Sequence, residues 1–217
     1  MLQTIAICIL VWLTSFCCLA QDIMDSSEMK RRHVQYINHP DTIFNLQELP
    51  ICFNYGCKEI ANAKLTNAQW EKIISLLIIS SESAADERNA LTGAIGYIES
   101  IIGEQTNTEF DLGGTFNIYL NLNNGRSEQM DCIDESTNTL LYLRIIEQHQ
   151  KIIWHEVLGV ISRGGIISGY PHTAVLLQEK QTKQKYIIDS WFHDNGYPAE
   201  VVPYATWKKG WKPNKEK

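Results

Sequence analysis

HTAVLLQEKQTKQKYIIDSW, residues 172–191, is the stretch that decides the fold of this chain. Two short runs rich in branched and aromatic residues flank a polar turn at 179–182, a pattern typical of a β-hairpin. A symmetric turn pairs His172 directly with Asp189, with Cβ atoms ~4.5–5.5 Å apart on one face of the sheet. A loop of odd length would place the two side chains on opposite faces.

Apolar residues at helical spacing fill the chain before this hairpin. They predict three helices: one after the capping box at 66–69, one from Ser83 to Ile102, and one from Cys132 to about Gln148. A further branched run at 152–161 predicts another strand. Because helices come first and strands later, we expect an α+β fold, with helices packed on an antiparallel β-sheet.

Individual residues set the expected helix limits. Gly103 is the expected stop of the second helix, and Asp131 is the expected N-cap of the third. Gly93 and Gly96 lower the helix propensity of the second helix, which predicts a close approach to another helix there.

The chain has 217 residues, of which 44% are apolar, enough for one sizeable core. The formal net charge is −6, from 19 Lys and Arg against 25 Asp and Glu. Non-specific nucleic-acid binding requires a surplus of basic residues, so this class of function is excluded.

The first twenty residues predict an export signal. An unbroken apolar run at 5–13 precedes the first charged residue, Asp22, and residues 18–20 fit a small-residue cleavage site. Cleavage after Ala20 would leave a periplasmic or secreted protein without a stable membrane span. An uncleaved anchor and a lipoprotein signal at the neighbouring cysteines are the alternatives.

The remaining chain divides into an irregular N-terminal arm at 21–60 and a single domain at 61–217. Signal cleavage would leave three of the six cysteines, Cys52, Cys57 and Cys132. In an oxidising compartment Cys52 and Cys57 can form a local disulfide, which leaves Cys132 as the free thiol. The spacing of the histidines and cysteines fits no zinc pattern, so no metal or cofactor is expected.

The free thiol, Cys132, lies at the predicted start of the third helix. At a helix start, backbone N–H groups and the helix dipole stabilise a thiolate and an oxyanion. The carboxylates of Asp131, Asp134 and Glu135 oppose this by raising the pKa of Cys132. With the facing His172 and Asp189 of the hairpin, the chain holds a nucleophile, a base and an orienting acid.

Three other residues are candidates for the same site. Gln129 is a possible donor to an oxyanion, and Trp191 is a possible wall of a substrate cleft. His155 is the alternative base.

Three segments carry a family pattern: QMDCIDE at 129–135, HTAV at 172–175 and IIDS at 187–190. They resemble the Cys, His and Asp blocks of the transglutaminase-like superfamily, and bacterial transglutaminase-like cysteine proteinases in particular. The Asp-Cys pair matches directly, whereas Met130 replaces a glycine. The resemblance implies a papain-like core with Cys132 as nucleophile, His172 as general base and acid, and Asp189 as the residue that orients the imidazole.

The resemblance covers about residues 125–195 and leaves alternatives open. NlpC/P60-type peptidoglycan peptidases also place Asp-Cys at a helix start, although Ser-Gly follows their cysteine and Ile133-Asp134 follows it here. The favoured interpretation is an exported cysteine hydrolase acting on peptide or amide bonds in the cell envelope. The alternative is an inactive transglutaminase-like binding or structural module. Hydrolysis and amine transfer are not distinguished, nor is an oligomeric state. An active site requires the Cys132 sulfur within ~4 Å of a His172 ring nitrogen.

Overall fold

The described chain is a mixed α and β fold with two antiparallel sheets and five helices. The computed structural model describes residues 28, 31–39, 41–78, 82–116, 128–165 and 169–214. The elements in chain order are α1 (31–38), β1 (Leu49–Phe53), β2 (Glu59–Ala63), α2 (Asn67–Ile78), α3 (Ala84–Thr106), α4 (Cys132–Gln148), β3 (His155–Gly165), β4 (Gly169–Glu179), β5 (Lys185–Asp189), β6 (Glu200–Pro203) and α5 (Tyr204–Trp207).

The chain divides into two units, residues 1–36 and 37–217. In the first unit, the described residues 31–36 are helical. The predicted export segment at 1–20 lies outside the described residues. Among the described helices, none has the length and apolar character needed to span a membrane.

The expectation of an irregular arm at 21–60 is wrong for most of its described part. Strands β1 and β2 form an antiparallel hairpin, and Leu49 and Ile51 of β1 are buried in the main core. The turn between the strands is left-handed, with φ values of 63, 61, 74 and 58° at residues 54–57. Gly56 and Asn54 adopt this conformation readily, whereas Tyr55 and Cys57 do so at a steric cost. The predicted disulfide between Cys52 and Cys57 closes this turn.

The capping box and the third predicted helix are confirmed, but α3 differs from its prediction. It continues past Gly103 to Thr106 and ends at Asn107, which adopts φ 59°. Gly96 faces a loop and not a helix, because a Cβ there would lie 2.7 Å from the backbone oxygen of Tyr197. Gly93 has no neighbour within 4 Å among the described residues, so the predicted helix–helix approach is wrong at both glycines.

The C-terminal sheet has the strand order β3-β4-β5-β6, and β6 has no counterpart in the sequence prediction. The predicted hairpin register is wrong by two residues, since Val175 pairs with Ile188. Lys183 adopts φ 59° and closes a loop of four residues, 180–183, one position later than expected. A shift of two residues preserves the face of each side chain, so His172 and Asp189 still share one face.

The two faces of this sheet bury different clusters. Val175, Leu177 and Ile188 belong to the main core, together with the buried residues of α4. The alternate positions, among them Leu176 and Ile187, pack with α5 in a second and smaller cluster. The end of β4 nearest His172 therefore lies between α4 and α5.

Candidate active site

Cys132 is the first residue of α4 and has 8% of its surface exposed. Asp131 is the N-cap, and its Oδ1 accepts hydrogen bonds from the N–H groups of Ile133 (2.9 Å) and Asp134 (3.2 Å). The predicted helix start is confirmed.

The Asp131 cap changes the expected oxyanion site. Because the amides of Ile133 and Asp134 already donate to Asp131, they do not face an oxyanion. Within the described ranges, the Cys132 amide donates to no acceptor. That single N–H is the helix-start donor available to a substrate oxygen.

The thiol of Cys132 lies near Thr173, whose backbone N–H and hydroxyl favour the ionised form of the thiol. Burial and the carboxylate of Asp131 raise the pKa of this thiol to about 11, and Thr173 only partly opposes the rise. The thiol is therefore protonated at neutral pH. Sequence reasoning missed Thr173, although its position directly after His172 places it at the site.

His172 and Asp189 meet as diagonal neighbours on adjacent strands. The imidazole Nε2 lies 2.7 Å from Oδ2 of Asp189, and both side chains are buried. The other ring nitrogen, Nδ1, is also buried and has no hydrogen-bond partner among the described residues. The hydrogen bond from Cys132 to His172 is thus not formed in this structure.

The strand ends explain why these residues come together. Pairing between β4 and β5 ends at Val175 and Ile188, so the backbone of Thr173 has no strand on that side. The first turn of α4 reaches β4 at this opening, where Thr173 lies near Cys132. His172, which precedes Thr173, projects to the face covered by α5.

Aromatic rings surround the imidazole. Trp191 lies 4.7 Å from His172 between ring centroids, and Phe192 lies at 5.2 Å. The indole N–H of Trp191 donates to the backbone oxygen of Thr115 at 2.9 Å, and its ring packs on Phe116 at 4.7 Å. The predicted position of Trp191 beside the site agrees with this packing.

Two of the candidate residues have other partners. The Gln129 amide donates to the Phe110 oxygen at 3.0 Å and accepts from Leu112 N–H at 3.1 Å. It therefore holds a loop, which argues against a role as oxyanion donor. His155 lies opposite Glu179 in the register of β3 and β4, at the far end of this strand pair from His172. It is therefore too distant to be the alternative base.

Comparisons with protein-family models, with curated proteins and with solved structures find no match. The chemistry of the site is therefore argued from its own geometry.

The acidic residues after Cys132 point away from the thiol. Asp134 is fully buried, and its carboxylate accepts hydrogen bonds from the backbone N–H groups of Asp131, Gly56 and Cys57. Two of these three donors belong to the left-handed turn. Of the acidic neighbours expected to raise the pKa of Cys132, Asp131 does so. Asp134 instead connects the disulfide loop to the start of α4.

Glu135 belongs to a buried acidic cluster beneath α4. It accepts a hydrogen bond from Ser190, the residue after Asp189, and shares another with Asp111. Burial and the Asp189 carboxylate raise the pKa of Glu135 to about 7. Burial and the Glu135 carboxylate raise the pKa of Asp111 to about 9. A hydrogen bond between two carboxyl groups requires one proton, and these shifts place it on Asp111.

The Asp111→Asn variant is expected to change how stability depends on pH. A carboxyl whose pKa is raised by folding stabilises the folded state fully below about pH 4, and this stabilisation is lost as pH rises to the folded pKa. For Asp111 the window extends to about pH 9. Asparagine cannot titrate but still accepts from the Met130 N–H. The slope of the unfolding free energy against pH between pH 5 and 9 should therefore decrease in size, by the amount that corresponds to about one bound proton.

Urea denaturation at pH 5, 7 and 9 measures this difference. The exposed Glu104 of α3, substituted by glutamine, is the matched control and should keep the wild-type slope. An unchanged slope in Asp111→Asn would mean that Asp111 holds no proton in the folded chain.

Proposed function

We propose that this chain is a cysteine hydrolase with a papain-like, transglutaminase-like core that cleaves peptide or amide bonds through an acyl-enzyme on Cys132. The observation that carries the proposal is the state of His172. Its Nε2 is held by Asp189, and its buried Nδ1 has no partner in the described chain, while the next residue, Thr173, lies at the cysteine that starts α4. A buried ring nitrogen left without a partner is costly, so its presence at such a place favours a chemical role.

The raised pKa of the thiol determines the order of steps. Because Cys132 is protonated at pH 7, attack requires transfer of the thiol proton to Nδ1 of His172 as sulfur bonds to the substrate carbonyl carbon. The Cys132 N–H then donates to the oxyanion. The leaving amine takes the proton from Nδ1, and the carbon–nitrogen bond breaks. Water, activated by His172, hydrolyses the thioester and releases the carboxylic acid.

A peptide substrate in an oxidising compartment outside the cytoplasm fits the same proposal. The Cys52–Cys57 disulfide supports an oxidising compartment, because disulfides form and persist there. The turn that it closes donates two backbone N–H groups to Asp134 of the helix that begins at Cys132.

Acylation by p-nitrophenyl acetate tests the proposal without knowledge of the natural substrate. We expect a burst of p-nitrophenolate from the non-reduced chain at pH 7 and an acetyl group on Cys132 after acid quenching, measured by mass spectrometry. Cys132→Ser should show no burst. Absence of acetyl from Cys132 in the folded wild-type chain would refute a catalytic site. Envelope peptides and muropeptides, screened next, would identify the amide substrate.

The second candidate is an inactive transglutaminase-like binding module. Two observations favour it: the absent hydrogen bond between Cys132 and His172, and the high pKa of the thiol. This candidate predicts peptide binding that is unchanged in Cys132→Ser, together with no acyl-enzyme from the wild-type chain.

A further inference from the structure

Trp207 is a fully buried side chain of the small cluster on the outer face of the sheet. It is the last residue of α5, is fully buried, and packs with Leu176, Ile187 and Val202. Its ring also contacts His172, at 5.8 Å between centroids. Hydrophobic packing alone accounts for the buried ring but not for the direction of its single polar atom.

The indole N–H of Trp207 donates to Oδ2 of Asp189 at 2.9 Å. This is the same oxygen to which His172 Nε2 is bonded at 2.7 Å. The other oxygen, Oδ1, is buried and accepts no hydrogen bond from the described residues. A carboxylate with two donors on one oxygen and none on the other is held in one orientation by those donors.

Arg163 fixes the indole from the opposite side. Its guanidinium lies 4.5 Å above the Trp207 ring and donates to the backbone oxygen of Trp207. The second guanidinium nitrogen donates to the backbone oxygen of Trp211 at 2.7 Å. Arg163 pairs with His172 in the β3–β4 ladder, so one buried cation connects the strand of the base to the segment that carries the indole.

We propose that Trp207 is a positioning residue of the site, whose indole N–H fixes the Asp189 carboxylate and thereby the orientation of the His172 ring. This inference rests on the proposed function. Trp207 acts through Asp189 and not on the thiol. Its loss should lower the rate of acylation while leaving substrate affinity unchanged.

The Trp207→Phe variant separates the N–H from the ring. Phenylalanine keeps most of the buried apolar contact and removes the donor. A hydrogen bond to a charged group is stronger than one between neutral groups. We therefore expect the maximal rate of acylation by p-nitrophenyl acetate to fall about ten-fold, with KM unchanged. Trp211→Phe is the matched control, since it keeps the backbone oxygen that Arg163 binds, and should acylate at the wild-type rate.

A double-mutant cycle with Asp189→Ala isolates the route of the effect. If Trp207 acts through Asp189, Trp207→Phe should change the rate less than two-fold in the Asp189→Ala background. A full ten-fold loss in that background, or none in the wild-type background, would overturn the proposal. If Asp189→Ala and His172→Ala both acylate as fast as the wild-type chain, the proposed function itself fails, which is a different result.

A spectroscopic measurement covers the case in which Trp207→Phe does not fold. In the wild-type chain the Trp207 indole proton should give a downfield, exchange-protected NMR signal, and this signal should shift in Asp189→Asn. A signal that exchanges as fast as those of exposed indoles would contradict the hydrogen bond and the inference.

Discussion

Alkylation of Cys132 by iodoacetamide at pH 7 is expected to slow by about 100-fold or more when His172 is replaced by alanine. A thiol whose pKa is about 11 is ionised in only about one molecule in 10,000 at pH 7. Without a base, reaction depends on that fraction, whereas a positioned base contributes about 10²–10⁴-fold.

The pH profile makes the comparison specific. In His172→Ala the labelling rate should rise about ten-fold per pH unit from pH 7 to 10, because the thiolate fraction rises by that factor. The wild-type chain should show a flatter profile over the same range. His193, which pairs with Glu200 at 2.8 Å, supplies the matched control, and His193→Ala should label like the wild-type chain. Equal, slow labelling of all three proteins would contradict the role of His172.

Replacement of Asp134 by alanine is expected to lower the free energy of unfolding by about 3–5 kcal/mol. The variant leaves three backbone donors without an acceptor, those of Asp131, Gly56 and Cys57. Each unsatisfied buried donor costs about 1–3 kcal/mol. Urea denaturation of the non-reduced protein measures the loss.

Two variants sharpen this experiment. Glu71→Ala removes an exposed carboxylate from α2 and should change the unfolding free energy by less than about 0.5 kcal/mol. Asp134→Asn keeps only one accepting oxygen, although Oδ1 and Oδ2 both accept in the wild-type chain, so it should fall between alanine and wild type. A loss below about 1 kcal/mol for alanine would show that the turn finds other acceptors.

Local signals in the sequence were sufficient to predict the helix that begins at Cys132. Asp131 fits an N-cap, and the apolar spacing after Cys132 fits a helix, so α4 is predicted at its observed bounds. The shared face of His172 and Asp189 also follows from the two-residue period of a strand. The register does not, because Lys183 takes a left-handed conformation that its residue type does not indicate.

Contacts between distant segments could not be predicted. Trp207 reaches Asp189 only through the placement of α5 on the outer face of the sheet, and no local pattern indicates a partner for its N–H. Gln129 was misjudged for the same reason, since the loop that it holds lies 17–19 residues earlier in the chain. The hairpin of β1 and β2 had a usable signal in Asn54 and Gly56, two turn-forming residues between apolar runs.

The described residues include two buried histidine–carboxylate pairs, and the two rings contact their carboxylates through different nitrogens. His155 donates from Nδ1 to Glu87 at 2.8 Å and accepts at Nε2 from Arg88 at 3.0 Å, because arginine can only donate. His172 contacts Asp189 through Nε2 instead, at 2.7 Å. The His155 ring therefore has partners on both nitrogens, whereas Nδ1 of His172 has none among the described residues. Nitrogen-15 NMR of the imidazoles would record the His172 ring beside His155 as an internal reference.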